Sequence, residues 1–537
     1  MKMNLLKYLL VLSLVGFDTF IIAQSNKSPV SRVINVPSTS QISPSLSGDG
    51  RHMIFTSTSN LKSELLVFYS FQQRPGKWTQ PEPVTTINRS LPINHIGGYS
   101  LSYDGNYIFF TSRKSYGIGK FDIWYSKRTG NNQWSAPTNL AKPINSTMDD
   151  GCPSIAPDGK TIYFVRCESM DLKEGTGCKL MMAQKKSKDF WEDPVPLPSY
   201  INDGNIMSPK ILADNQTLIY AKGKGDSWDL YQTRLESGAW TKPVALDFVN
   251  SAGDERFASV PARGDVMYYS TKFQGTYDII KAKIPEAYQP LKVLYLKGQV
   301  TTQESVPMEA FIQIYDVENK NLVQYQRTSK ENSQFEFYLT AGRQYDFSIV
   351  PLAAKYSFYS ELIDLRNLEV SNRRKVDVAL QLLEAGSSFP LNCLSFENDS
   401  TLNPVSRFEM SRLIKLLKKN PGTQVQIAVH RDKVDIDSTL FINEMLMGYD
   451  TAMAEEPLVA ESSLYPVDSL EMPQDSIMLP IIDPTEVQAQ TISQYLQERG
   501  VPEYLLEAKG FADSEILFID GSEEERKLNQ RVEIRVL

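Results

Sequence analysis

The sequence predicts a multidomain fold: an all-β propeller of about five blades, a small β-sandwich, and a C-terminal α/β domain. Three observations carry that prediction. An Asp-Gly turn recurs at Asp49-Gly50, Asp104-Gly105 and Asp158-Gly159, continues as Asp214-Asn215 and Arg263-Gly264, and keeps steps of 55, 54, 56 and 49 residues. A Trp-x-x-Pro marker runs in phase with it, at Trp78, Trp134, Trp191 and Trp240. Near Lys292 the period stops and short alternating strands take over; beyond residue 386, helical and strand spacings alternate.

The chain starts with Lys2 and Lys7 around an apolar run from Leu5 to Val15, followed by Ile22-Ala23. A basic n-region, a short apolar h-region and a small-residue cleavage point predict a secretory signal peptide over 1–23. No later apolar run has the length a bilayer span needs. The expected product is exported, soluble and without a transmembrane segment.

Residues 28–286 hold the five repeats. In each, a small-residue strand such as Pro44-Ser45-Leu46-Ser47 enters the turn, and an alternating or aromatic strand such as Tyr107-Ile108-Phe109-Phe110 leaves it. A tight Asp-Gly turn between β-prone runs is a strong hairpin signal. A third strand follows, at Phe121-Asp122-Ile123-Trp124, Trp228-Asp229-Leu230 and Tyr277-Asp278-Ile279, and the Trp marker makes a fourth. Four strands in a period of this length predict propeller blades, with the N-terminal strand available to close the ring. The repeated aromatics are expected in the core between blades, and each turn Asp is expected to cap its own turn.

Cys152, Cys167 and Cys178 fall in the third repeat, and Cys393 stands apart. Cys167 ends one strand and Cys178 begins the next, so they either close the loop 168–177 as a disulfide or remain free half-buried thiols.

Residues 292–385 alternate as short strands, with Ala310, Ile312 and Ile314 on one face and a turn at Ala341-Gly342. About seven such strands predict a small sandwich. In residues 386–537 the pattern predicts a strand from Leu391 to Phe396 and a helix from Pro404 to Lys419 stopped by Asn420-Pro421-Gly422. A strand over 425–432, a helix over 487–500, and strands over 505–513 and 531–537 follow. Such an order makes a compact α/β layer. Between the halves, the stretch 433–484 carries eleven Asp/Glu, one Lys and five prolines. Composition of that kind predicts disorder, because too little apolar surface is available to bury.

A net charge of −8 and a pI near 5.3 argue against nucleic acid as a partner, since its phosphates are bound by basic patches. The three histidines, His52, His95 and His430, are scattered, which excludes the common histidine-based zinc motifs. There is no Gly-x-Ser-x-Gly elbow, phosphate loop, or Cys with a nearby His. No cofactor, metal or enzymatic activity is expected. An enzyme acting on glycans or peptides would rest on the propeller fold alone, because one sequence cannot pair the carboxylates of a glycosidase.

The turn repeats resemble the Asp-Gly-motif propellers of the TolB type. The strings KGQV, IQIYD and FEFYLTAGRQYDF are similar to the regulatory-like domain of carboxypeptidases, a module without catalytic residues. Successive blocks FENDSTLNP, NPGTQVQIAVHRD, ISQYLQERGVP, KGFAD and RKLNQRVEI resemble the C-terminal OmpA-like domain over 386–537. Members of that family bind peptidoglycan, with an Asp and a following helix Arg clamping the charged ends of diaminopimelate. The chemistry suits a zwitterion, whose ammonium needs a carboxylate and whose carboxylate needs a guanidinium.

The resemblance gives the family Asp to Asp432, with Arg431 before it. The family Arg position falls on Gln488 when aligned from Tyr495-Leu496, and on Asp450 when aligned from Asn443, which fits the family Asn. Arg526 and Arg531 match basic positions of the closing motif and are candidates for the missing positive charge. The resemblance implies peptidoglycan binding, or a domain that keeps the fold with a weakened or changed ligand. The order of modules resembles the periplasmic PorE-type proteins of Bacteroidota. That implies a scaffold at the cell wall and outer membrane whose partners are outer-membrane or periplasmic proteins of type IX secretion. The tetratricopeptide repeats that those proteins carry ahead of the propeller have no counterpart here.

Overall fold

A computed structural model describes residues 26–433 and 483–537, apart from 38, 60–61, 91–92, 114–116, 172–174, 188–189, 225–226 and 274. The expected signal peptide, nearly all of the acidic stretch, and Asn443 and Asp450 lie outside the described residues. The chain divides into two compact units. One runs up to 298 and adds 334–344 and 364–376; the other joins 299–333, 345–363 and 377–537.

The first unit is a β-propeller in which five antiparallel sheets follow one another, each built on one copy of the repeat. Their first strands are β1 (Gln41–Leu46), β2 (Ile93–Leu101), β3 (Asp149–Ile155), β4 (Ile206–Ile211) and β5 (Glu255–Ser259). Each touches the next, and β5 touches β1, so the first strands close a ring. The last sheet is completed by Lys27–Pro29, which pairs antiparallel with Thr276–Lys283.

The turns form as their chemistry dictates. At the first, Gly50 sits at φ +69°, Gly50 N donates to Ser47 O at 2.9 Å, and the Asp49 carboxylate accepts from Ser47 Oγ at 2.7 Å and Arg51 N at 3.0 Å. Asn215 takes the same left-handed conformation at φ +57°, which Asn tolerates better than most residues. The Trp marker makes the short fourth strands, and Trp134 packs with Ile54, Val67 and Tyr69 of the preceding sheet. The third repeat is closed by a Cys167–Cys178 disulfide, while Cys152 and Cys393 are free and buried.

Eight strands follow in two four-stranded sheets. One is ordered 334–340, 293–302, 372–375, with 378–380 also on 293–302; the other is ordered 322–327, 310–316, 344–351, 359–364. The boundary between the two units passes through this segment.

The C-terminal part of the second unit is one mixed sheet with helices. Its strands are β6 (Ser388–Pro390), β7 (Val425–His430), β8 (Leu506–Ala512) and β9 (Arg531–Val536), ordered β6-β9-β7-β8, with β7 parallel to β8 and antiparallel to β9. Helices α1 (Arg407–Lys419) and α2 (Pro484–Gln497) bury Met410, Leu413, Leu417, Ile492 and Leu496 against Ile427, Val429 and Ile534. Asn403 caps the 3-10 turn that leads into α1, accepting from Val405 N, and Pro404 occupies its first position. Among the described residues no helix is long and apolar enough to cross a membrane.

One expected element is corrected. Leu391 to Phe396 is not a strand: the last bond to β9 is Leu391 N to Val532 O at 2.9 Å, and Leu394 N donates to Leu391 O at 3.3 Å in a turn. The Asn392 amide leaves the sheet to donate to Ser360 O at 3.0 Å, and strand structure resumes only as the short hairpin Phe396–Asn398 and Thr401–Leu402.

Candidate functional site

The candidate site lies where β7 ends. Strand pairing carries one residue past His430, with Arg431 N donating to Ala512 O at 2.9 Å, and then releases Asp432. Its carboxylate accepts from Arg526 Nε at 2.9 Å on one oxygen and from Asn529 Nδ2 at 2.7 Å on the other. The Asp432 side chain is 18% exposed and that of Arg526 42%. The bond from Asn529, and then the Arg526 charge, hold the Asp432 carboxyl below the ordinary carboxylate range, so Asp432 is an anion at neutral pH.

Asn529 is fully buried and fully used. Its amide nitrogen also donates to Phe518 O at 2.9 Å, and its oxygen accepts from Leu517 N at 2.9 Å and Phe518 N at 3.0 Å. It ties the loop before β9 to Asp432 and fixes the rotamer of that carboxylate. Arg526 closes a one-turn helix, Glu523–Arg526, started by a capping box between Ser522 and Glu525. Leu517, Ile519 and Leu528, in the same segment, are exposed.

The remaining sequence candidates have other partners. Arg431 pairs with Asp483 at 3.0 Å, and Asp483 is the N-cap of α2, accepting from Thr485 N at 2.9 Å. Arg531 pairs with Glu533 at 2.5 Å and donates to Glu515 O at 3.2 Å, so its guanidinium holds β9 to the loop ahead of it. Gln488 reaches Asp399 at 3.5 Å on the surface. The structure therefore brings Asp432 and Arg526 together and gives Arg431, Arg531 and Gln488 local structural bonds.

Gly510 lets α2 approach this edge, for a Cβ there would stand 2.3 Å from Glu486 N, whose carboxylate accepts from Gly510 N at 2.7 Å. His430 beside the site is buried, its ring stacked on Phe511 at 5.0 Å. Burial first, and then the Arg531 charge, push the His430 pKa down, so it is neutral and adds no charge.

Asn529 is the site residue that reading the sequence missed. It stands in the string LNQR only as part of a closing motif, and its single signal is an amide just ahead of the last strand.

No protein-family model and no curated protein sequence matches the chain. Among solved structures it is similar to a putative TolB from Agrobacterium tumefaciens, at 14% identity over 56% of this chain and 90% of that one, with a TM-score of 0.29. It is similar to an endo-arabinase from Bacteroides thetaiotaomicron, at 17% identity over 47% and 96%, TM-score 0.35. It is also similar to a putative MotB-like protein from Desulfovibrio vulgaris, at 17% identity over 28% and 72%, TM-score 0.18. Likenesses of this size carry no argument about activity, site or partner.

Proposed function

We propose that this chain is a non-enzymatic periplasmic scaffold. An OmpA-like C-terminal domain binds peptidoglycan, and a five-bladed propeller holds outer-membrane or periplasmic proteins, those of type IX secretion among them. One observation supports the reading above all: a carboxylate and a guanidinium, both accessible, stand 2.9 Å apart past the end of β7.

A diaminopimelate terminus carries an ammonium and a carboxylate on one carbon. The ammonium takes Asp432, the carboxylate takes Arg526, and the internal pair exchanges for two pairs with the ligand. Exposed ion pairs add little to stability, so this one opens cheaply, whereas a guanidinium meeting a carboxylate two bonds at a time is strong and directional. Arg526 thereby supplies the positive charge that Gln488 and Asp450 do not. Asn529 holds the second oxygen of Asp432 throughout, and Arg431 keeps the start of α2 beside the site through Asp483.

Sedimentation with purified sacculi tests the reading. The mature protein should pellet with them, free diaminopimelate should compete, Asp432→Ala and Arg526→Ala should each leave the protein in the supernatant, and Gln488→Ala should still pellet. Wild-type protein that stays in the supernatant overturns the reading and leaves an adaptor that touches envelope proteins alone.

A further inference from the structure

The first strands of the five sheets share a position that repeats around the propeller axis. Four residues before the turn Asp or its counterpart stand Ser45, Ser100, Ser154, Lys210 and Ser259. In three of these the hydroxyl accepts a backbone N–H from the next sheet: Ser45 from Leu101 at 2.9 Å, Ser154 from Ile211 at 3.1 Å, and Ser259 from Leu46 at 3.0 Å. Lys210 breaks the pattern, because an ammonium has no lone pair to accept with. It is 4% exposed, its Nζ has no hydrogen-bond partner, and that atom lies over the Tyr103 ring, 4.9 Å from the centroid.

Lys210 lines a cavity of about 20 Å³ to which all five first strands contribute. Two more lining groups, the hydroxyls of Tyr99 and Ser100, are buried and also lack a partner, while the Ser208 hydroxyl bonds the Cys152 thiol. The lining holds no carboxylate; its one sulfur is the Cys152 thiol, which burial pushes up to about 12 and so keeps uncharged. Left-handed φ values at Ser43, Cys152, Ser208 and Phe257 kink four of the strands at the same place and open the space.

Two unpaired hydroxyls and an ammonium thus belong to the lining of a space with no acceptor of matching charge. Buried polar groups are paired in folded proteins, and a buried charge needs a counter-charge. Burial pushes the Lys210 pKa down only to about 8, so the side chain is still cationic at neutral pH. The volume suffices for one body the size of a water molecule, which excludes sulfate, phosphate and any organic acid.

We propose that this cavity is a binding site for one chloride-sized monovalent anion, with the Lys210 ammonium as its counter-charge and the hydroxyls of Tyr99 and Ser100 as donors. The anion locks the five first strands together at the axis, and the site is independent of the peptidoglycan reading. Two measurements on the full mature protein test it. Crystals soaked in sodium bromide should give an anomalous peak in the cavity beside Lys210. Thermal unfolding in sodium chloride or bromide, compared with sodium gluconate at equal ionic strength, should show a saturable rise in midpoint of roughly 2–4 °C. Lys210→Met, which keeps the volume and removes the charge, should remain folded and lose both the peak and the rise. A wild-type cavity without bromide, coincident unfolding in halide and gluconate, or an undiminished halide response in Lys210→Met would each overturn the proposal.

Discussion

Arg412 and Lys210 are both buried cations, one in each unit, and the chain treats them oppositely. Arg412, on α1, meets the Asp346 carboxylate through two bonds of 2.6 and 2.8 Å and the Glu409 carboxylate at 2.6 Å. Glu409 accepts in turn from Ser360 Oγ at 2.6 Å, so the cluster joins α1 to the strands 344–351 and 359–364. Burial alone would lower the Arg412 pKa, but the bonds to Asp346 and the charge of Glu409 raise it instead. Lys210 has burial and nothing to oppose it, so its pKa falls. An interior charge is either neutralised from within the chain, as at Arg412, or left for something from outside, as at Lys210.

The largest expected effect comes from breaking the first arrangement. Arg412→Ala leaves two carboxylates buried without a cation and should destabilise the second unit by about 3–5 kcal/mol, read as a lower denaturant midpoint. Replacing Arg412, Asp346 and Glu409 together by apolar residues of similar volume should recover most of that loss, because the cost lies in the unpaired charge. In halide-free buffer Lys210→Met should act in the opposite direction and raise the midpoint of the first unit. Equal destabilisation by Arg412→Ala and Lys210→Met would erase the distinction.

Glu336 sharpens the comparison with a buried acid. It lies on the strand 334–340 of the first unit, and its carboxyl is pushed up to about 7, by burial first and then by the charges of Asp104 and Asp49. The bond from Tyr338 Oη at 2.7 Å acts the other way without cancelling them. Its folded pKa exceeds its unfolded one, so the folded state holds the proton more tightly. Its stabilising contribution is complete below the ordinary Glu pKa and is lost as pH rises through about 7. Glu336→Gln should flatten the stability profile of the first unit between those two values. A slope unchanged by the substitution would count against the assignment.

How far the sequence foretold these features depends on distance along the chain. The propeller sheets were legible because all but the last, which adds Lys27–Pro29, are built from contiguous residues, and the turn at Asp104 states its own geometry through Gly105. The Cys167–Cys178 bond was one of two open outcomes, and the structure takes the bonded one. The strand expected from Leu391 to Phe396 failed because Asn392 is held by Ser360 O, a partner no local pattern announces. The place of Asp432 just past a strand was legible from the pattern over 425–432. Its partners Arg526 and Asn529 are 94 and 97 residues away, and only the pairing of β7 with β9 brings them near. That Lys210 stands where the other repeats have serine is visible once the repeats are aligned, but the cavity beside it is built by five strands together.

The smallest effect on stability, and the most selective on function, belongs to Asp432. Its pair with Arg526 is open to water, where desolvation costs little and solvent screens the attraction, so it differs from Arg412 in what it does for the fold. Asp432→Ala leaves one N–H of the buried Asn529 amide without its acceptor, so it should lower the unfolding midpoint of the second unit, by less than Arg412→Ala does, while abolishing co-sedimentation with sacculi. Asp432→Asn should abolish it as well, because it keeps the shape and the bond to Asn529 but removes the charge that an ammonium requires. The depressed pKa adds a pH signature: binding that depends on the Asp432 anion should persist through the ordinary carboxylate range and disappear only as pH falls through its lowered value. If Asp432→Ala instead unfolds the domain, the pair is a structural clasp like Arg412 with Asp346, and the site must be sought elsewhere on the sheet.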